Sequence, residues 1–175
     1  TSKDPEILER CRWLRSHGFH HVEGAVCFEE LGLSARMTDI HAAIGLAQLD
    51  KLDGFIAGRA RSAAMYREQL ADLRAVDHCD GIWESNRVYQ SLVINLTPDQ
   101  DRNRVVASLR EKGIDSTIGT FAIHQHKPFS KCRIADGGLA GSISAAKQSI
   151  TLPLWCDMDV SIVSRVVQTL KEVTN

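Results

Sequence analysis

The chain has 175 residues, 43% of them apolar and 25% charged, and a formal net charge of -1. Those are the proportions of an ordinary globular protein, with no basic excess to serve a nucleic-acid surface. No apolar run reaches the roughly 18 residues of a membrane span, and the five scattered cysteines contain no C-x-x-C pair. Reduced thiols in a cytoplasm are therefore expected, with neither a disulfide framework nor a zinc knuckle. The chain opens on Thr1, with no signal peptide, which suggests a fragment or processed piece.

Asp4-Pro5 predicts a helix entrance, with Ile7, Cys11 and Leu14 on one face and Gly18 as the stop. Residues 19–31 have no clear period and read as loop. Thr38 is the expected cap of the next helix, with Asp39 in its first turn. Apolar residues then recur from Met37 through Ile40, Ile44 and Ala47 to Leu70 and Leu73. A helix over 38–74 would run about 55 Å, so a kink or break is expected near Gly54 or Gly58.

Beyond residue 75 the pattern changes. "VYQSLVINL" (88–96) predicts a buried strand, and Thr97-Pro98 a helix presenting Val105, Val106 and Leu109 and ending at Gly113. "IDSTI" (114–118) reads as a short strand and 119–141 mainly as loop. A short helix near 142–148 leads into the strand "SITLPL" (149–154). A last helix from about 159 carries Val163, Val166, Val167, Leu170 and Val173. The interleaving predicts an α+β sandwich of about 100 residues behind a long helical arm. Trp13, Trp83 and Trp155 read as packing residues.

Few motifs carry chemistry. At Ser34–Asp39 a hydroxyl, a guanidinium and a helix N-terminus come together, as an anion site would need. The same residues also fit a plain reading in which Ser34 and Thr38 cap the helix and Arg36 is solvated. His124 and His126 form an H-x-H pair that a strand would turn to one side, but no third metal ligand is evident. "HGFHH" (17–21) reads as a solvated loop after a helix stop. There is no Gly-rich phosphate loop, no G-x-S-x-G and no H-E-x-x-H.

The segment "GLSARMTDIHAAIGLAQLDKLDGFIAGRARSAAMYREQL" resembles the DegT family of PLP-dependent sugar aminotransferases. Gly32, Arg36, Met37, Ala42, Ala43, Gly45, Gln48, Leu49, Arg59, Ala63, Tyr66 and Leu70 fall in the family's order. "DPEILERCRWLRSHG", "REKGIDSTIGTFAIHQHKPF" and "SITLPLWCDM" resemble three further family segments, although His124 and Pro128 stand one residue further apart than the family's H-x-x-P.

The resemblance implies a fold class of α/β to α+β: the C-terminal part of a fold-type I PLP aminotransferase, with a long dimer-interface helical arm and a small α+β domain. It implies residues 1–31 as the end of the large cofactor domain, 32–74 as the arm and 75–175 as the small C-terminal domain. It further implies a cytoplasmic homodimer that moves an amino group from an amino acid, usually glutamate, to a nucleotide-linked keto sugar. No nucleic acid or membrane would take part. The cofactor lysine would lie upstream of Thr1, so this chain alone would hold no catalytic residue and be inactive. Ser34 stands where relatives have an Asn that reaches the neighbouring subunit's cofactor phosphate. Ser34 and Arg36 are thus the implied pyridoxal 5'-phosphate contacts, and His124 the implied substrate contact. Two alternatives stay open: a PLP-dependent sugar dehydratase of the same family, and a non-enzymatic dimerisation module.

Overall fold

Asp4 accepts hydrogen bonds from the backbone N–H groups of Glu6 and Ile7, and the helix α1 (Pro5–Arg15) starts at the predicted Asp-Pro pair. The computed structural model describes residues 2–28, 30–77, 87–134 and 138–175; Cys79, Trp83 and part of the 119–141 loop lie outside them. The chain divides into two compact units, Thr1–Lys51 and Leu52–Asn175.

In the first unit, α1 gives way to an antiparallel hairpin, β1 (Phe19–Val22) and β2 (Ala25–Phe28), with Phe19 opposite Phe28 and Val22 opposite Ala25. The two turn residues, Glu23 and Gly24, both have positive φ (50° and 85°), the geometry of a tight two-residue hairpin turn. This corrects the reading of 19–31 as loop. Both faces of the hairpin are largely exposed, so the sequence shows no apolar alternation; the Glu-Gly turn was its one signal. The next segment runs back along the end of α1. Leu33 N–H donates to Leu14 O (2.8 Å), His17 N–H to Leu33 O (3.0 Å) and Ala35 N–H to Arg15 O (2.9 Å). Gly18 and Gly32 meet here so closely that a Cβ on either would overlap backbone atoms. Thr38 then caps α2 (Asp39–Leu49), as predicted.

The long helix of 38–74 is not continuous. It stops at Leu49, and a new helix, α3 (Leu52–Leu70), runs unbroken through Gly54 and Gly58. Gly58 is a packing glycine: a side chain there would overlap Cys156 Sγ and crowd the Asp157 carboxylate. Asp50 and Lys51 make the break, and neither is a helix breaker of the Gly or Pro kind.

The second unit is built on a four-stranded antiparallel sheet. Its strands are β3 (Val76–Asp77), β4 (Leu92–Leu96), β5 (Thr117–Ile118) and β6 (Ser149–Leu152), in the order β3-β4-β6-β5. Alternation along β4 buries Leu92, Ile94 and Leu96, and Ile94 pairs with the fully buried Ile150. Three helices close the core: α3 through Ala63, Tyr66 and Leu70; α4 (Arg102–Glu111) through Val105, Val106 and Leu109; and α6 (Val160–Thr174) through Val163, Val166, Val167 and Leu170. The helix α5 (Ala140–Gln148) leads directly into β6. The predicted faces of α4 and α6 are therefore the buried ones.

Three boundaries differ from expectation. β4 begins at Leu92, with Val88 60% exposed. Asp101, not Thr97-Pro98, caps α4, accepting from Asn103 and Arg104 N–H. β6 ends at Leu152, because the following segment turns its carbonyls to α3. Tyr66 donates to Pro153 O (2.9 Å), Ser62 to Trp155 O (2.9 Å) and Arg59 to Leu154 O (3.4 Å), while Arg59 also reaches Gln90 O (2.9 Å) and Tyr89 O (3.2 Å) ahead of β4. Ser62 Oγ also accepts from Met158 N–H, and Arg61 pairs with Asp157. Trp155, read as a packing residue, stays 45% exposed, and its carbonyl accepts from Ser62.

Burial pushes the Tyr66 hydroxyl well above the ordinary tyrosine range. Tyr66→Phe is expected to lower stability by about 1–2 kcal/mol, the worth of one hydrogen bond to a half-buried carbonyl. Because the folded-state pKa is raised, native stability should be flat below the unfolded tyrosine pKa of about 10 and fall above it. Denaturation from pH 8 to 11 checks both: the variant should lose part of the alkaline decline.

Candidate functional site

Ser34 and Arg36 lie on the extended segment that precedes α2. An isolated antiparallel bridge pairs Ser34 with Ser16, the C-terminal cap of α1, and the backbone bonds at Leu33 and Ala35 flank it. The Ser34 main chain is thus fixed on both sides, while its side chain is exposed. Neither the Ser34 hydroxyl nor the Arg36 guanidinium has a hydrogen-bond or ion-pair partner among the described residues. Two residues on, Thr38 Oγ1 accepts from His41 N–H (3.3 Å) and lies 3.1 Å from His41 Nδ1.

This separates two roles that the sequence left merged. Thr38 is the cap of α2 and Ser34 is not, because Ser34 stands four residues ahead of it. The capping half of the plain reading is corrected for Ser34; for Arg36 the side chain is solvated, as that reading has it. What remains is an uncommitted hydroxyl and an uncommitted guanidinium held before a helix N-terminus, with the macrodipole's positive end behind them.

His124 belongs to the second unit. It is the middle residue of a 3-10 turn, Ile123–Gln125, followed by a second turn, Lys127–Phe129. His124 is half-buried, and the ring of the exposed His126 lies edge-on to Phe121 at 6.0 Å. The strand that would have aligned the H-x-H pair is absent. In a 3-10 turn, residues two apart point to different sides. Among the described residues no group of three His, Cys, Asp or Glu converges as metal ligands. In "HGFHH", His17 takes a left-handed φ of 62° at the end of α1, and His20 and His21 belong to β1, which corrects the loop reading. No helix among the described residues is long and apolar enough to cross a membrane.

A family model of the DegT/DnrJ/EryC1/StrS aminotransferases matches residues 1–171. The chain belongs to that family. Solved structures agree in fold. PseC of Helicobacter pylori, an aminotransferase involved in pseudoaminic acid biosynthesis, superposes with a TM-score of 0.82 at 19% identity over 99% of this chain. TlmJ, an aminotransferase of Streptoalloteichus hindustanus, gives 0.80 at 23% over 98%. Spr1654 of Streptococcus pneumoniae in its PLP-form gives 0.77 at 19% over 99%. The match covers 47%, 46% and 44% of those chains, so this chain spans less than half their length. At these identities the likeness establishes the fold, that of part of a fold-type I sugar aminotransferase.

Family membership gives the motif residues of α3 a second meaning. Arg59 and Tyr66, which fall in the family's order, hold backbone carbonyls of the second unit, and Ala63 is buried in its core. Their service is structural. The bridge partner Ser16 was not singled out from sequence, and only the backbone pairing reveals it.

The division of labour at the helix mouth is testable by thermal melts of the full-length protein. Thr38→Ala should cost about 1 kcal/mol, as for a lost N-cap, whereas Ser34→Ala should leave stability within about 0.5 kcal/mol. An equal loss in both would return Ser34 to a capping role.

Proposed function

We propose that this chain is the C-terminal part of a PLP-dependent aminotransferase that transfers an amino group from an amino acid, glutamate first among candidates, to the keto carbon of a nucleotide-linked sugar. The observation that carries the reading is the pair Ser34 and Arg36: two polar side chains without partners among the described residues, on a segment otherwise pinned by backbone bonds, in a chain of this family. A donor hydroxyl and a permanent cation fit the phosphate end of pyridoxal phosphate. The described residues offer nothing comparable for its ring, which the reading assigns to the half of the subunit outside this sequence.

Bound there, the cofactor would supply the electron sink for amino transfer. The chain's own contribution would be positional. Ser34 would donate a hydrogen bond to a phosphate oxygen, Arg36 would add positive potential, and the α2 N-terminus would add its dipole. His124, half-buried at the edge of its loop, would bind a hydroxyl or phosphate of the sugar substrate. Domain roles follow the same reading: 1–31 closes the cofactor domain, 32–74 forms the arm and 75–175 the small domain.

A homodimer is part of this proposal. Among the described residues of the first unit only Gly18 is buried. Met37, Ile40, Ile44 and Leu49 are each more than half exposed along one short stretch, an apolar surface that calls for a cover. We assign that cover to a second subunit, whose cofactor Ser34 would then reach.

Two experiments on the full-length protein test the reading. Ser34→Ala should weaken PLP retention about ten- to hundred-fold, the range for a hydrogen bond to a charged group, and Ser34→Asn should keep or raise it. Unaltered PLP affinity in Ser34→Ala removes Ser34 from the site. Ala43→Glu should raise the dimer dissociation constant in sedimentation; an unchanged dimer at every concentration would mean that α2 packs within its own subunit.

A further inference from the structure

The segment that carries Ser34 is tied to α1 at more points than its backbone bonds. At its start, both oxygens of the Glu30 carboxylate engage Arg10 of α1: Nε lies 2.9 Å from Oε1, and Nη2 donates to Oε2 (2.9 Å). In its middle, a Cβ added at Gly32 would overlap Gly18 N and His17 C and press on Leu14 O, and one added at Gly18 would overlap Glu30 O. At its end come the Leu33 and Ala35 bonds and the Ser16–Ser34 bridge. Residues 30–35 therefore follow the C-terminal half of α1 as one strap, with Ser34 near its far end and Arg36 just beyond.

These ties are unequal. The Arg10 and Glu30 side chains are 64% and 38% exposed, and an ion pair so open to water contributes little. Each backbone bond replaces one to water, so its net worth is modest too. Steric overlap rises far more steeply with distance, so the glycine contact sets how near the strap can come. The two glycines serve for different reasons. Gly18 has a φ of 79°, which an L side chain rarely adopts. Gly32 has no positive φ, so its backbone would accept a side chain, and only the space for a Cβ is missing. Gly32→Ala is therefore a change of distance, where Gly18→Ala would also strain the backbone.

We propose that Gly32 is a positioning residue: its missing Cβ sets the strap's distance from α1, and with it the reach of Ser34 toward the cofactor phosphate. The inference rests on the reading of Ser34 as a phosphate contact, and a double-mutant cycle keeps the two apart. PLP dissociation constants and melting temperatures of the full-length protein are the readouts. Gly32→Ala should weaken PLP retention about tenfold or more, at least as much as Ser34→Ala does. Added to Gly32→Ala, Ser34→Ala should cost less than about threefold more, because a displaced hydroxyl has no contact left to lose. Gly24→Ala is the control. It strains a positive φ at the hairpin turn, its Cβ would meet nothing within 4 Å, and it should lower the melting temperature at native PLP affinity. Should Gly32→Ala not fold, the Arg10–Glu30 pair decides. Arg10→Glu should then weaken PLP retention about threefold, and the charge swap Arg10→Glu with Glu30→Arg should restore it. Native affinity in a folded Gly32→Ala, where Ser34→Ala binds weakly, overturns the positioning and leaves the phosphate contact standing. Full additivity of the two changes, or an equal loss in Gly24→Ala, overturns it likewise. Native affinity in both Gly32→Ala and Ser34→Ala overturns the phosphate contact as well. With the ion pair, native affinity in a folded Arg10→Glu, or a swap that restores nothing, overturns the positioning.

Discussion

The close approach of two backbones at Gly18 and Gly32 is the constraint on which the candidate site depends. Gly18 takes a left-handed φ of 79° at the end of α1, and Gly32 lies against the same turn. With no Cβ on either, the returning segment comes near enough for three main-chain hydrogen bonds and the Ser16–Ser34 bridge. Those bonds satisfy the main chain around Ser34 and leave its side chain free. A substituent on Gly32 would push the strand away and take Ser34 and Arg36 with it.

The two units are stabilised by different means. In Leu52–Asn175, three helices and a sheet bury Tyr66, Leu92, Ile94, Leu109, Ile150 and Leu170 completely, and Arg59, Ser62 and Tyr66 clamp the segment after β6 through the carbonyls of Leu154, Trp155 and Pro153. Thr1–Lys51 has hydrogen bonds but almost no buried apolar surface. Hydrogen bonds alone contribute little net stability in water, so this unit depends on surfaces contributed from outside it. The residues proposed for cofactor phosphate lie on the dependent unit.

Elements whose fold rests on one-sided burial were legible in the sequence. The faces of α4 and α6 and the alternation of β4 followed from apolar spacing, because the core is on one side of each. The hairpin at 19–28 was not legible, since both of its faces are exposed and its only mark is Glu23-Gly24. The helix break at Asp50-Lys51 was missed for a related reason: glycine was expected to mark it, yet Gly58 is there to admit Cys156. Ser34 was identified by resemblance, and its separation from capping needed coordinates, because Ser34 and Thr38 are equally good caps on paper. His124 and His126 would face one side only on a strand, and the loop expected over 119–141 holds them in 3-10 turns instead.

The central claim is that Ser34 and Arg36 serve the active site of another subunit. Mixed dimers test it most directly. One full-length variant carries Ser34→Ala with Arg36→Gln; the other lacks only the cofactor lysine of the family. At limiting PLP each alone should be nearly inactive. Mixed and allowed to exchange subunits, they should recover about a quarter of native turnover, since half the dimers then hold one intact site. No recovery, with heterodimers demonstrated by mass, would place Ser34 and Arg36 in their own subunit's site, and native turnover of the Ser34→Ala, Arg36→Gln variant alone would place them in none.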